Sequence, residues 1–477
     1  MTATSTSFDR IPAKRSIALP LPEVKYESQK LAFPYLLLST LLFPLMIVFG
    51  IIGAAQYIWP TLFLDTLNFS IAREAHLNLL IFWLLLGLMG ATYYLVPEEA
   101  ETEIFSKPLA WIQFAVFAVT GVAAMLVFMV FKQSEGKPFV EAPFYLDVLI
   151  AIGAVIFLIN IGLTILRSRW TPLLFVLFTG LAGLSLLYLI DLVSFKNLSV
   201  DYFFWWWIIH LWVEGTWEMV AAAVMAFVLF KITGVDRNVL YKWLYIEVGL
   251  TLVTGIVGTG HHYYWIGTPD YWLPLGAIFS GLEPVPIALM VWDTLRHTPN
   301  RQLSAIHRVA WYWVLASAIG HFVGAGVWGF AQTLPQINEW THGTQVTASH
   351  GHFAFFAAYG ALIIAAVYLT LPQIRGLRLF GQRRGMWAFW LMNIGMVGMV
   401  MSLTVAGVLQ TYLWRVLGMD FMVVRDQYLA FWLFWRLLFG GALLAPGVVL
   451  FVWDFVSLSI GPAPKVTPAG APELATS

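Results

Sequence analysis

Six of the ten histidines in this 477-residue chain lie within or at the edges of apolar segments: His76, His210, the adjacent pair His261 and His262, then His350 and His352. Neutral imidazole ligates transition metals and heme iron, and ionisable groups inside a bilayer are functional candidates by default. A glutamate follows one of them by four residues, in Trp207-Ile208-Ile209-His210-Leu211-Trp212-Val213-Glu214. Residues four apart share a helix face, so His210 and Glu214 can reach one metal. His261 and His262 diverge by about 100° on a regular helix. They meet at one metal only if it lies between them or the helix is distorted, which Gly258 and Gly260 favour. His350 and His352 project to nearly opposite sides of their helix and so serve two centres flanking it. The chain has no cysteine, which excludes thiolate-bound metals, iron–sulfur clusters and covalently attached heme, so any heme is held through histidine.

The elements that must position these residues are membrane helices. The chain is 60% hydrophobic and 11% charged, against roughly 25% charged in soluble domains. Only helices or closed barrels satisfy the backbone inside lipid, and barrel strands would be short and alternating. An all-α polytopic membrane protein with twelve transmembrane helices is expected, near 32–58, 71–96, 108–131, 143–166, 171–193, 202–231, 239–265, 271–296, 303–333, 346–371, 385–414 and 425–457. Residues 1–31 read as a polar N-terminal segment without a cleavable leader. Residues 32–457 read as the catalytic membrane domain, and 458–477 as a Pro/Ala-rich disordered tail. The formal net charge of zero gives no electrostatic case for nucleic acid.

Most of the 26 basic residues fall before the first span or in alternate loops, from Arg10 and Lys14 through Arg167, Arg237, Arg301 and Arg383 to Lys465. The positive-inside rule then places both termini in the cytoplasm. On that topology all six histidines lie in the outer half of the membrane. Packing histidines have no reason to share a depth.

This order, one histidine on the second helix, one on the sixth, an adjacent pair on the seventh and His-x-His on the tenth, resembles the heme-copper oxidase superfamily across essentially all twelve spans. The resemblance implies that His76 and His352 are the axial ligands of a low-spin heme b. It implies that His350 is the proximal ligand of a high-spin heme b3, and that His210, His261 and His262 bind a second, non-heme metal. Oxidases with a tyrosine on the sixth helix carry it four residues after the histidine, in His-Pro-Glu-Val-Tyr. Here that position is Glu214, a hard oxygen ligand that suits iron better than copper. In this, and in His-Leu-Trp-Val-Glu-Gly at 210–215, Gly-Thr-Gly-His-His-Tyr at 258–263 and Thr-His-Gly-Thr-Gln at 341–345, the chain resembles the nitric oxide reductases.

Quinol-dependent members of that family carry a long N-terminal extension, whereas about thirty polar residues precede the first span here. The chain therefore resembles the cytochrome c-dependent catalytic subunits, which work with a membrane-anchored c-type cytochrome. The implied reaction joins two nitric oxide molecules into nitrous oxide and water at heme b3 and non-heme iron, in a bacterial inner membrane, with the site toward the periplasm. Glu218, and Glu283 in Leu282-Glu283-Pro284, are intramembrane carboxylates expected to relay protons or tune the iron. Proton uptake is expected from the periplasm, without pumping. The resemblance also implies a role for Glu141, in the outer loop before the fourth span, in holding a calcium ion that bridges heme propionates. Arg73 is a candidate propionate partner. His321 reads as a packing residue and the Trp205-Trp206-Trp207 run as interfacial anchoring. The competing readings are a terminal oxygen reductase, which needs copper and a redox tyrosine such as Tyr263 or Tyr264, and a twelve-span transporter, which binds no heme.

Overall fold

The computed structural model describes residues 24–280, 285–298, 307–377 and 380–460, and among them it is helical with no strand. Glu283 and the tail from residue 461 lie outside the described residues. Eleven helices are long and apolar enough to cross a membrane. These are α1 (Glu27–Gln56), α2 (Phe69–Glu99), α3 (Lys107–Phe131), α4 (Phe144–Leu166), α5 (Pro172–Asp191), α6 (Leu198–Thr233) and α7 (Arg237–Tyr263). After α8 (Trp272–Phe279) and α9 (Val285–His297) come α10 (Arg308–Thr333), a short α11 (Pro335–Thr341), α12 (Gln345–Ile374), α13 (Arg383–Val416) and α14 (Phe421–Ile460). The eighth expected span falls on α8 and α9, on either side of residues 281–284.

The α-helical part of the first span opens at Ala32, where the sequence expects it. A 3-10 turn over Glu27–Leu31 precedes it, and the Glu103 carboxylate accepts the backbone N–H groups of Glu27 and Ser28 (2.8 Å each), which satisfies donors a helix start otherwise leaves open.

Three helices form the centre. Of their most apolar stretches, 94% of α2, 89% of α12 and 83% of α6 lie inside the protein, against 28% of α3 and 39% of α14. These central helices carry His76, His210 with Glu214, and His350 with His352. Lipid tails give apolar side chains no reason to prefer a neighbouring helix, so close approach depends on small residues. A Cβ at Gly87 of α2 would stand 2.6 Å from Ile363 of α12, and one at Gly360 of α12 would stand 2.8 Å from the Trp83 ring of α2.

Ionic and polar contacts mark one end of the bundle. Lys231, near the C-terminus of α6, binds Glu98 of α2 (2.6 Å), and Arg237, which opens α7, binds Glu99 (2.6 Å). Tyr94 of α2 donates to Gln373 of α12 (2.5 Å) at the same end. The six histidines all lie toward the other end of their helices, so the common depth expected from the sequence is present in the fold.

The helices are irregular where they carry these residues. Wide π-helical turns occupy Leu211–Thr216 in α6, Thr251–Gly255 in α7, His321–Trp328 in α10 and Phe355–Gly360 in α12. A tight 3-10 turn occupies Thr259–Tyr263, which is the distortion that Gly258 and Gly260 pointed to. Such departures from the α-helical repeat recur at functional sites because they re-aim side chains.

Candidate metal centre

His210, Glu214, His261 and His262 converge from α6 and α7. One ligand atom from each lies within 4.8 Å of all the others. Glu214 stands among the three rings: its carboxylate is 3.3 Å from His210 Nδ1, 3.5 Å from His262 Nε2 and 3.9 Å from His261 Nε2. Its neighbours along α6 are buried, yet a third of its side-chain surface is open to internal space. Both ring nitrogens of His210 and Nε2 of His262 are buried without a hydrogen-bond partner. Orphaned lone pairs are expensive inside a low-dielectric core, and a bound cation is what this geometry would satisfy. Three imidazoles and one carboxylate form a mixed nitrogen and hard-oxygen set suited to a divalent first-row ion such as iron.

The rings are held from behind. His261 Nδ1 lies 2.9 Å from the Gly258 carbonyl and 2.7 Å from Ser280 Oγ, while the Ser280 hydroxyl donates to the same carbonyl (2.8 Å). A carbonyl oxygen can only accept, so Nδ1 carries the proton and Nε2 keeps its lone pair for the centre. The α8 backbone packs directly on this turn, and a Cβ at Gly276 would overlap the His261 main chain. His262 stacks on Trp206 with ring centroids 4.5 Å apart and 11° between planes. Trp206 is thus a wall of the centre, where its sequence context suggested only an interfacial anchor.

The other three histidines follow the same rule. His76 Nδ1 donates to the Met46 carbonyl (2.8 Å), His352 Nδ1 to that of Ala348 (2.7 Å) and His350 Nδ1 to that of Gly324 (2.9 Å). Each is left with Nε2 as a free donor atom. The rings of His76 and His352 face one another with centroids 6.0 Å apart, the spacing of two imidazoles on opposite sides of one metal with bonds of ~2.0–2.1 Å. Gly50 of α1 makes room for the first: a Cβ there would stand 2.8 Å from the His76 Cε1 and Nδ1 atoms. His350 and His352 serve different surroundings, as their spacing predicts.

Glu218 is buried one turn beyond Glu214, and its Oε1 lies 3.1 Å from His321 Nε2. His321 is therefore not a lone packing residue; the contact joins helices 103 positions apart in the chain, which spacing cannot reveal. Glu141 is buried rather than solvated. It accepts from Asn78 Nδ2 (2.8 Å), and its other oxygen, without a hydrogen bond, is 3.6 Å from Arg73 Nη1. Burial pushes its carboxyl up to about 7, with Arg73 and Asn78 pulling the other way. Among the described residues no second group of three His, Asp or Glu ligands gathers as the first does. Arg73 accordingly has a protein partner. Tyr264 donates to the backbone carbonyls of Thr333 (2.6 Å) and Leu273 (3.0 Å), and Tyr263 stacks on Phe203 (4.3 Å). Tyr264 is thus engaged through its phenol, whereas the Tyr263 hydroxyl is buried without a hydrogen bond.

Comparison with known proteins agrees with this geometry. The family described as cytochrome c and quinol oxidase polypeptide I matches residues 30–443, and the chain belongs to it. A nitric oxide reductase subunit of Stutzerimonas stutzeri is 41% identical over 94% of this chain and 99% of its own length. Cytochrome c oxidase subunit 1 of Rhodobacter capsulatus is 23% identical over 77% of this chain and 72% of its own. A heme-copper terminal oxidase determined as a dimer by cryo-electron microscopy has the same fold, with a TM-score of 0.70 at 15% identity over 91% of this chain and 84% of its own. Membership of a family of membrane oxidoreductases ends the transporter reading.

Ser280 was not visible as a site residue in the sequence. Because partners behind metal-bound histidines change affinity by ~10–100-fold, Ser280→Ala should lose its metal to a chelator at that much lower concentration than wild type. Metal analysis after dialysis measures this.

Proposed function

We propose that this member of the family is the catalytic subunit of a nitric oxide reductase, converting 2 NO, two electrons and two protons to nitrous oxide and water. The observation that carries the reading is Glu214, a carboxylate among three imidazoles where oxygen-reducing relatives with a sixth-helix tyrosine place a phenol. The 41% identity to the nitric oxide reductase of Stutzerimonas stutzeri supports it. The oxygen-reductase alternative would need Tyr263 or Tyr264 as its redox tyrosine; Tyr264 is tied to the Thr333 carbonyl, and the carboxylate at position 214 favours the nitric oxide reading.

In this reading His210, His261, His262 and Glu214 hold the non-heme iron, His350 holds heme b3, and His76 with His352 hold the low-spin heme b. An iron held by the four-residue cluster together with a heme held by His350 would offer sites for the two nitric oxide molecules and the electrons for joining them, lowering the entropic penalty of a bimolecular encounter. The chain's own residues do the rest. Hydrogen bonds from Nδ1 to backbone carbonyls fix the rings of His76, His261, His350 and His352, and the stack on Trp206 holds His262, which limits reorganisation during turnover. Glu214 brings negative charge and a hard oxygen to the iron. Glu218, one turn further on, is placed to pass protons to the reacting side, and Glu283 is proposed to share that work. The buried Trp212, Val213 and Trp217 line the helix around Glu214 and exclude bulk water.

Electrons come from a membrane-anchored c-type cytochrome subunit, since this chain has no cysteine to attach heme c. The enzyme sits in the bacterial inner membrane with both termini cytoplasmic and the metal centre toward the periplasm. Glu141, with one oxygen lacking a hydrogen bond, would contribute to a calcium site between heme carboxylates, and Arg73 would share those carboxylates.

Two variants test the assignments separately. Glu214→Ala, purified with its cytochrome partner, should retain both hemes but lose nitric oxide consumption by ~100-fold or more; turnover at the wild-type rate would contradict the role of Glu214. Gly50→Val should displace the His76 ring and remove the low-spin heme signal from the reduced-minus-oxidised spectrum. Iron at the non-heme centre should be unaffected.

A further inference from the structure

Arg436 is the one lysine or arginine among the described residues that is buried, at 7% exposed. It sits in the apolar run Ala430–Leu438 of α14. Its Nη2 donates to the Ala54 carbonyl of α1 (2.7 Å), and the guanidinium lies over the Tyr57 ring, 5.1 Å from the centroid. Among the described residues it has no carboxylate partner, and its Nε is buried without a hydrogen bond. The other buried or half-buried cations of the bundle are matched by acids, as Lys231 is by Glu98 and Arg237 by Glu99.

A buried charge without a counter-charge is expensive, and a guanidinium cannot escape the cost by losing its proton. A tie between α1 and α14 would need only a neutral donor. The position of the charge points to its use. Met46, Gly50 and Ala54 are four apart and share one face of α1. The Met46 carbonyl accepts from His76, Gly50 lies against the His76 ring, and the Ala54 carbonyl accepts from Arg436. The guanidinium is thus anchored one helical turn, ~6 Å along α1, beyond the level at which that ring packs. His352, across the same centre, also feels its charge. Arg73, the other cation whose charge reaches His76, has a side chain 43% exposed and is offset by Glu141 at 3.6 Å. Arg436 is the buried, uncompensated positive charge beside this histidine pair.

We propose that Arg436 is a fixed counter-charge that favours electron arrival at the His76 and His352 centre by raising the reduction potential of the heme held there. This rests on the reading of that pair as the axial ligands of the low-spin heme. One electron from the c-type cytochrome partner takes the heme from ferric to ferrous and adds one negative charge; no bond is made or broken at Arg436. A cation in this low-dielectric interior stabilises the reduced form more than the oxidised one, and salt screens it little. Burial and local dielectric are levers that set a heme's potential once its axial ligands are fixed. The Ala54 carbonyl and the Tyr57 ring hold the guanidinium in place, so its field is present before the electron comes.

The test is a spectroelectrochemical titration of the low-spin heme in the complete complex with its cytochrome partner, at one pH. Arg436→Gln keeps a donor for the Ala54 carbonyl without the charge, Arg436→Met keeps neither, and Arg436→Lys keeps the charge. The reduction equilibrium should fall by ~10-fold in the Gln and Met variants, which for one electron is about 59 mV. Arg436→Lys should stay nearer the wild type than either. The heme held by His350 should shift less than the heme between His76 and His352, and heme content should be unchanged. A potential that is unaltered in Gln and Met, or lowered equally in all three variants, assigns Arg436 to holding α14 against α1 and overturns the proposal. Should Arg436→Met fail to assemble, Gln against Lys decides on the same readout. A wild-type complex without a low-spin b-heme band contradicts the heme assignment itself, and this role with it.

Discussion

A polar atom inside a bilayer has no water to fall back on, and this structure is organised around a small set that the protein leaves unpaired. Many buried polar groups find partners: Tyr94 bonds Gln373, Ser317 bonds the Ala358 carbonyl and Ser349 that of Val400. Both ring nitrogens of His210 and Nε2 of His262 do not, although they stand around one carboxylate. Open nitrogens gathered at one point are what a metal ligand set requires.

The same constraint explains the local architecture. Four of the six histidines present Nε2 with Nδ1 tied back to a backbone carbonyl, at Met46, Gly258, Gly324 and Ala348. Ala348 lies one turn before His352 on the same helix; the other ties occur where a neighbouring helix comes close or a turn departs from the α-helical repeat. Gly50 and Gly276 allow the first. The wide turn at His321–Trp328, which contains Gly324, and the tight one at Thr259–Tyr263, which Gly258 opens, provide the second.

Much of this was legible in the sequence, for identifiable reasons. Helix number and span positions follow from unbroken apolar length, the common depth of the histidines from loop charge, and the convergence of His210 with Glu214 from their spacing on one helix. Glu214, on which the proposed nitric oxide chemistry rests, was readable as a partner of His210 because its position four residues on is fixed by the helix. What escaped were contacts between helices far apart in the chain: Ser280 behind His261, Trp206 against His262, and His321 against Glu218. No periodicity encodes those, and a histidine or tryptophan in an apolar run looks the same whether it packs or serves. The 3-10 turn at Glu27–Leu31 escaped for the same reason, since its cap comes from Glu103 on another element.

The central claim is that three imidazoles and Glu214 hold iron, with two further hemes bound through His76, His352 and His350. Its most direct test is a metal and heme count on the purified wild-type complex, with the heme c of the cytochrome partner measured separately. The account predicts two b-type hemes and one non-heme iron per copy of this chain, without stoichiometric copper. One copper per chain in place of the non-heme iron, or the absence of b-type heme bands, would contradict it.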